Sequence, residues 1–123
     1  MAFAQRHAVS VTTASDGSAT VYSPVVTGLL SQIRYVKTDF ADGVDFTITA
    51  EATGETLWTE VNVNASATKA PRQPSHGTDG AASLYAAAGT AVQVPIALAN
   101  DRVKIVIASG GAVTTGTFHI VLA

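Results

Sequence analysis

Strict two-residue alternation of apolar and polar side chains is the feature that most narrows what this chain can fold into. In the run VDFTITAE, Val44, Phe46, Ile48 and Ala50 fall on one side and Asp45, Thr47, Thr49 and Glu51 on the other. A strand with one buried face needs that pattern, because successive side chains point to opposite faces of a pleated sheet. RVKIVIA repeats it with Val103, Ile105 and Ile107, and TGTFHIVLA with Phe118, Ile120 and Leu122. HAVSVTT, SATVYSP, LLSQIRYVKT and ETLWTEVNV are further expected strands, rich in the β-branched residues that suit a pleated surface. Asp16-Gly17, Asp42-Gly43, Gly54 and Gly110-Gly111 punctuate these runs where a tight turn wants positive φ. No segment carries a sustained helical stripe; GAASLYAAAGTA is expected to make one or two helical turns at most. The regular spacing predicts an all-β fold of about eight strands. We expect an antiparallel β-sandwich of jelly-roll type, a single domain over residues 1–123, with one long proline-containing loop.

Composition removes several function classes. A formal net charge of −2, with seven scattered Lys and Arg residues, offers no basic footprint for a nucleic-acid backbone. The absence of cysteine removes disulfides and thiolate chemistry. No apolar run reaches the roughly 20 residues that a bilayer-crossing helix needs, and MAFAQRHAVS lacks the apolar core of a secretory signal. The expectation is a chain made in the cytoplasm, with no membrane or nucleic-acid partner.

One stretch breaks the strand pattern. From Asn64 to Gly80 no alternation survives, and ATKAPRQPSHGTDGAAS crowds in Pro71, Arg72, Pro74, His76 and Asp79. Long structureless loops in small domains tend to carry function. Pro71 and Pro74 fix their own φ and bias Ala70 and Gln73 toward extended backbone. Residues 64–80 are therefore expected to form a stiffened, extended arm, removable between Lys69 and Thr78 without loss of the fold. Residues 1–7, with Phe3 as an apolar anchor and Arg6 beside it, are a second candidate docking segment.

The chemistry-bearing residues do not assemble into a known site by spacing. Ser75, His76 and Asp79 have the composition of a catalytic triad, but a triad converges from separately anchored elements. A polar turn is the better reading. His7, His76 and His119 lie in unrelated segments, without the spacing of metal ligands. His119 is expected to face away from Phe118 and Ile120, as a surface or interface residue. Asp39, Asp42 and Asp45 do not follow the alternation of a calcium loop. Nothing specific supports a hydrolytic pair among Glu51, Glu55 and Glu60. Trp58 is a candidate exposed aromatic, usable against a sugar or a partner protein. We expect no enzyme, no cofactor and no metal.

Three segments, YVKTDFADGVDFTITAEATGETLWTE, APRQPSHGTDGAASLY and ANDRVKIVIASGGAVTTGTFHIVLA, resemble small structural proteins of tailed bacteriophages and prophages. The similarity covers most of the chain from Val21 to Ala123. Within virions the most similar role is that of capsid decoration (cement) proteins. The resemblance implies a small β-rich homotrimer on the outer capsid surface, bridging neighbouring major capsid subunits. Pro71, Arg72, Pro74, His76 and Asp79 are then the first candidate contacts and Phe3, Arg6 and Trp58 the second. The alternatives are a neck or tail component and a glycan-binding module displayed on the virion.

Overall fold

The computed structural model describes residues 4–123, so Phe3 lies outside the described residues. Ten strands follow one another: β1 (Gln5–Thr12), β2 (Ala19–Tyr22), β3 (Val26–Lys37), β4 (Val44–Ala50), β5 (Thr56–Val63), β6 (Ala67–Lys69), β7 (Arg72–Pro74), β8 (Gln93–Asp101), β9 (Val103–Ala108) and β10 (Thr115–Leu122). They form two antiparallel sheets packed as a sandwich. The larger runs β1-β10-β3-β8-β7, with β6 also paired to β3; the smaller runs β2-β9-β4-β5. GAASLYAAAGTA holds no helix; Leu84 and Ala91 instead form an isolated bridge.

The alternation read from β4, β9 and β10 holds: every apolar residue named on those strands is buried. Their apolar faces meet those of β1 and β3 around an aromatic cluster. Tyr35 packs on Phe46 and Phe118 at 5.2 Å between ring centroids, and Phe46 meets Trp58 edge-on at 4.8 Å. Each such pair contributes about 0.5–1.5 kcal/mol beyond its area burial. At the edge of the cluster Phe40 lies against Gly116, where a Cβ would come within 2.5 Å of its ring.

The turns differ from expectation in one respect. Gly17, Gly43, Gly54 and Gly111 all have positive φ, yet only Gly54 closes a hairpin, between β4 and β5. The other three carry the chain from one sheet to the other. Gly17 and Gly111 work as a pair. The Gly17 carbonyl accepts from the Gly110 N–H at 2.9 Å, and a Cβ on Gly17 would lie 3.1 Å from the Gly111 nitrogen. Between them the buried Thr13 hydroxyl donates to the Gly111 carbonyl at 2.6 Å and accepts from the Thr114 N–H at 2.8 Å. One end of the sandwich is thus tied across both sheets.

Bulges account for the remaining departures. Leu30 pairs with Leu122 and Gln32 with Val121, so Ser31 is an extra residue in β3. An extra residue reverses the in-and-out parity of the strand beyond it, which is why Leu30 and Ile33 are both buried. In β5 the extra residue is Leu57, between the pairs Ile48–Trp58 and Thr49–Thr56.

Candidate functional site

The segment 64–80 is not an unpaired arm. Its first part is β6, antiparallel to β3, and its middle is β7, antiparallel to β8. Both strands are three residues long and carry no alternation that a pattern search can detect. Pro71 is buried between them. Arg72 packs inward with one guanidinium nitrogen. Its Nη1 donates to the carbonyls of Pro71 at 2.8 Å and Ser31 at 3.1 Å, with Leu30 at 3.4 Å. Ser31 is the bulge residue of β3, where the ladder is interrupted, and the arginine supplies a donor there. Excising Lys69–Thr78 therefore removes β7, the buried Pro71 and this cap, contrary to the expectation that the fold tolerates it.

What projects is the connection from β7 to β8, residues 75–92. The chain passes three times across this knuckle. The Val92 carbonyl accepts from the Ser75 N–H at 2.8 Å, the Ser75 carbonyl from Ser83 at 2.9 Å, and the Ser83 carbonyl from Val92 at 2.8 Å. Two small turns cap the passes. In one, Gly77 bonds Ala81 and the Asp79 carboxylate accepts from the Ala81 N–H at 3.0 Å. In the other, Tyr85 bonds Thr90, with Ala88 at positive φ. The side chains at the second turn are uncovered: Tyr85 is 75% and Leu84 45% exposed.

The candidate triad is accounted for by this architecture. The Ser75 hydroxyl donates to the Val92 carbonyl at 3.2 Å, Asp79 organises its own turn, and His76 is exposed beside a bridge to Ala82. The three aspartates weighed for calcium are likewise engaged separately. Asp39 accepts from Thr115, Asp42 pairs with Lys37, and Asp45 accepts from the Asn62 N–H at 2.8 Å. Among the described residues no group of three metal-ligating side chains gathers and no pocket opens.

Trp58 is a correction. It is only 6% exposed, packed on Phe46, with its indole N–H on Glu60 Oε1 at 3.0 Å. The Leu57 bulge turns both Leu57 and Trp58 inward, which strict alternation excludes. The residue therefore offers nothing to a sugar or to a partner's surface. Pro74 and Arg6 are exposed, on β7 and β1 respectively. His119 lies cross-strand from Arg34 and Ala8, on the face opposite Phe118 and Ile120 as expected. It is half-buried, and its Nδ1 makes no hydrogen bond.

Leu84 and Tyr85 were missed by sequence reasoning. They sit in a run whose Ala and Leu content reads as helix, and only the pairing of Ser83 with Ser75 and Val92 lifts them into solvent. Compared with known proteins, the chain matches no family model, no curated sequence and no solved structure.

Proposed function

We propose that this chain is a tailed-phage virion protein that decorates the outer surface of the assembled head. On this reading it bridges major capsid subunits as a homotrimer and is not an enzyme. The observation that carries the proposal is the projecting knuckle. An ordered backbone lifts an aromatic and an aliphatic side chain into solvent. A preformed docking element loses little entropy when it is buried against a partner. The class of particle rests on the resemblance read in three long segments of the sequence alone.

The jelly-roll reading belongs with this proposal. Its support is the pair of strand orders β1-β10-β3-β8 and β2-β9-β4-β5, in which β6 and β7 enter as an insertion before β8. Jelly rolls recur in viral capsid and lectin domains, although a fold alone does not carry a function. A protein that binds the assembled shell but not free subunits stabilises it by mass action and needs no catalytic group.

The test is to incubate the protein with expanded, tailless capsids and count bound copies, with Leu84→Ser/Tyr85→Ser as the comparison. Decoration predicts copies in the hundreds per particle, lost in the double variant. A handful of copies, or none, points to the neck or tail. Full occupancy by the double variant removes the knuckle from the interface.

A further inference from the structure

The outer face of the six-stranded sheet is cationic in a chain whose net charge is −2. Three ion pairs occur among the described residues, and they engage Lys37, Lys69 and Arg102. Arg6, Arg34 and Arg72 take part in none of them, and all three are exposed on the larger sheet. Its strands β1, β3, β6, β7 and β10 contain no Asp or Glu, and the one acid of β8, Asp101, is buried. Asp101 is also internally satisfied, accepting from the backbone N–H groups of Ala52 and Arg102 at 2.9 and 2.7 Å.

Strand register brings the three arginines around one residue, Gln32. Arg6 lies in its cross-strand row, through Val121. Arg34 is two positions along the same strand, with His119 directly opposite. The Arg72 guanidinium is held on the carbonyl of Ser31. Two strand spacings across and two residues along put the Arg6 and Arg34 backbones roughly 12 Å apart, within reach of one another's long side chains. Arg34 is steadied by Thr68, whose hydroxyl accepts from Nη1 at 2.9 Å. Anchoring two of the three guanidinium groups through a single nitrogen leaves their remaining N–H donors to solvent.

We propose that this face docks an acidic protein surface, with Arg6, Arg34 and Arg72 each receiving a carboxylate. The inference goes beyond the virion reading and does not require it. Guanidinium forks match carboxylates in geometry as well as charge. Around the arginines the face carries the small or aliphatic Ala8, Val121 and Val36, with Gln32 and His119 as its polar residues. They suit a packed protein contact. Single-stranded nucleic acid is disfavoured because the outer face of these strands carries no Phe, Tyr or Trp on which bases could stack, and its one ring, the imidazole of His119, is half-buried. A duplex is disfavoured because its affinity grows with the number of phosphates neutralised, and three arginines neutralise few.

Binding to immobilised poly-L-glutamate, measured at low and at near-physiological salt, tests the proposal. A duplex DNA of equal total charge is the second ligand. Lys104→Glu is the control, because it changes net charge as much as Arg34→Glu does but lies on β9 in the opposite sheet. The expected result is salt-sensitive polyglutamate binding, weakened about tenfold by Arg34→Glu and by Arg6→Glu and little changed by Lys104→Glu. Thermal melts confirm that each variant folds, and a variant that does not is replaced by the corresponding alanine. Absence of binding by the wild type, equal loss in Arg34→Glu and Lys104→Glu, or tighter binding to the duplex than to polyglutamate would each overturn it.

Discussion

Tyr35 sits at the centre of the aromatic cluster with its hydroxyl buried and without a hydrogen-bond partner. Burial pushes its phenol above the ordinary value, and the negative charge of Asp42 adds to this. A buried polar atom left unpaired is a cost, so Tyr35→Phe should keep or raise stability, by up to about 1 kcal/mol. Urea unfolding of the two proteins measures it; a loss of more than about 1 kcal/mol would mean that the hydroxyl has a partner. Asp39 presents the opposite case at the surface. The Thr115 backbone N–H and then its hydroxyl hold the Asp39 carboxyl below the ordinary 3.8. A depressed carboxylate stabilises the fold fully above its unfolded value, and this contribution is lost as pH falls through the folded one. The advantage of the wild type over Asp39→Asn should therefore be present at neutral pH and shrink below about pH 4. Melting temperatures across an acid series read this directly, and a constant gap would refute it.

At the scale of elements, legibility in the sequence depended on what set each strand's pattern. β4, β9 and β10 are flanked on both edges by partners or pack one whole face into the core, so burial imposes their period. β5 lost its period at Leu57, where one inserted residue turned Trp58 from the expected surface into the core. β8 went unread because Pro95 interrupts it, and the ladder to β3 begins only at Ile96, beyond the proline. β6 and β7 are too short for any period, so the pairing that fixes 64–80 is tertiary. The candidate site shared that fate. The exposed arginines could be listed from the sequence, but their convergence on Gln32 depends on register. The knuckle is separable from the sandwich, since none of the buried core side chains comes from it. Replacing Ser75–Val92 by Asn-Gly should join Pro74 to Gln93, already cross-strand partners, in a two-residue hairpin. Cooperative melting should persist with a β-type circular dichroism spectrum; an unfolded product would show that the knuckle supports the core.

At the scale of the molecule, the larger sheet is completed by pairing strands distant in sequence. β1 lies against β10 over its entire length, from Gln5 opposite Leu122 to Thr12 opposite Thr115. The adjoining Thr13–Thr114 clamp joins residues 101 positions apart. β1 must therefore wait, unpaired, until β10 has been made. Its correct neighbour arrives only after β2 to β9 have emerged, and closing so large a loop costs entropy before any contact repays it. Refolding from urea should accordingly be slow for a chain of this size, on the millisecond-to-second scale, with β1 amides among the last to gain protection in pulsed hydrogen exchange. A microsecond folding phase that protects β1 would contradict this order. During synthesis the exposed first strand is available to any edge that reaches it first, including that of another nascent copy. The pairing that closes the finished sandwich thus also sets the interval in which the chain is most open to misassembly.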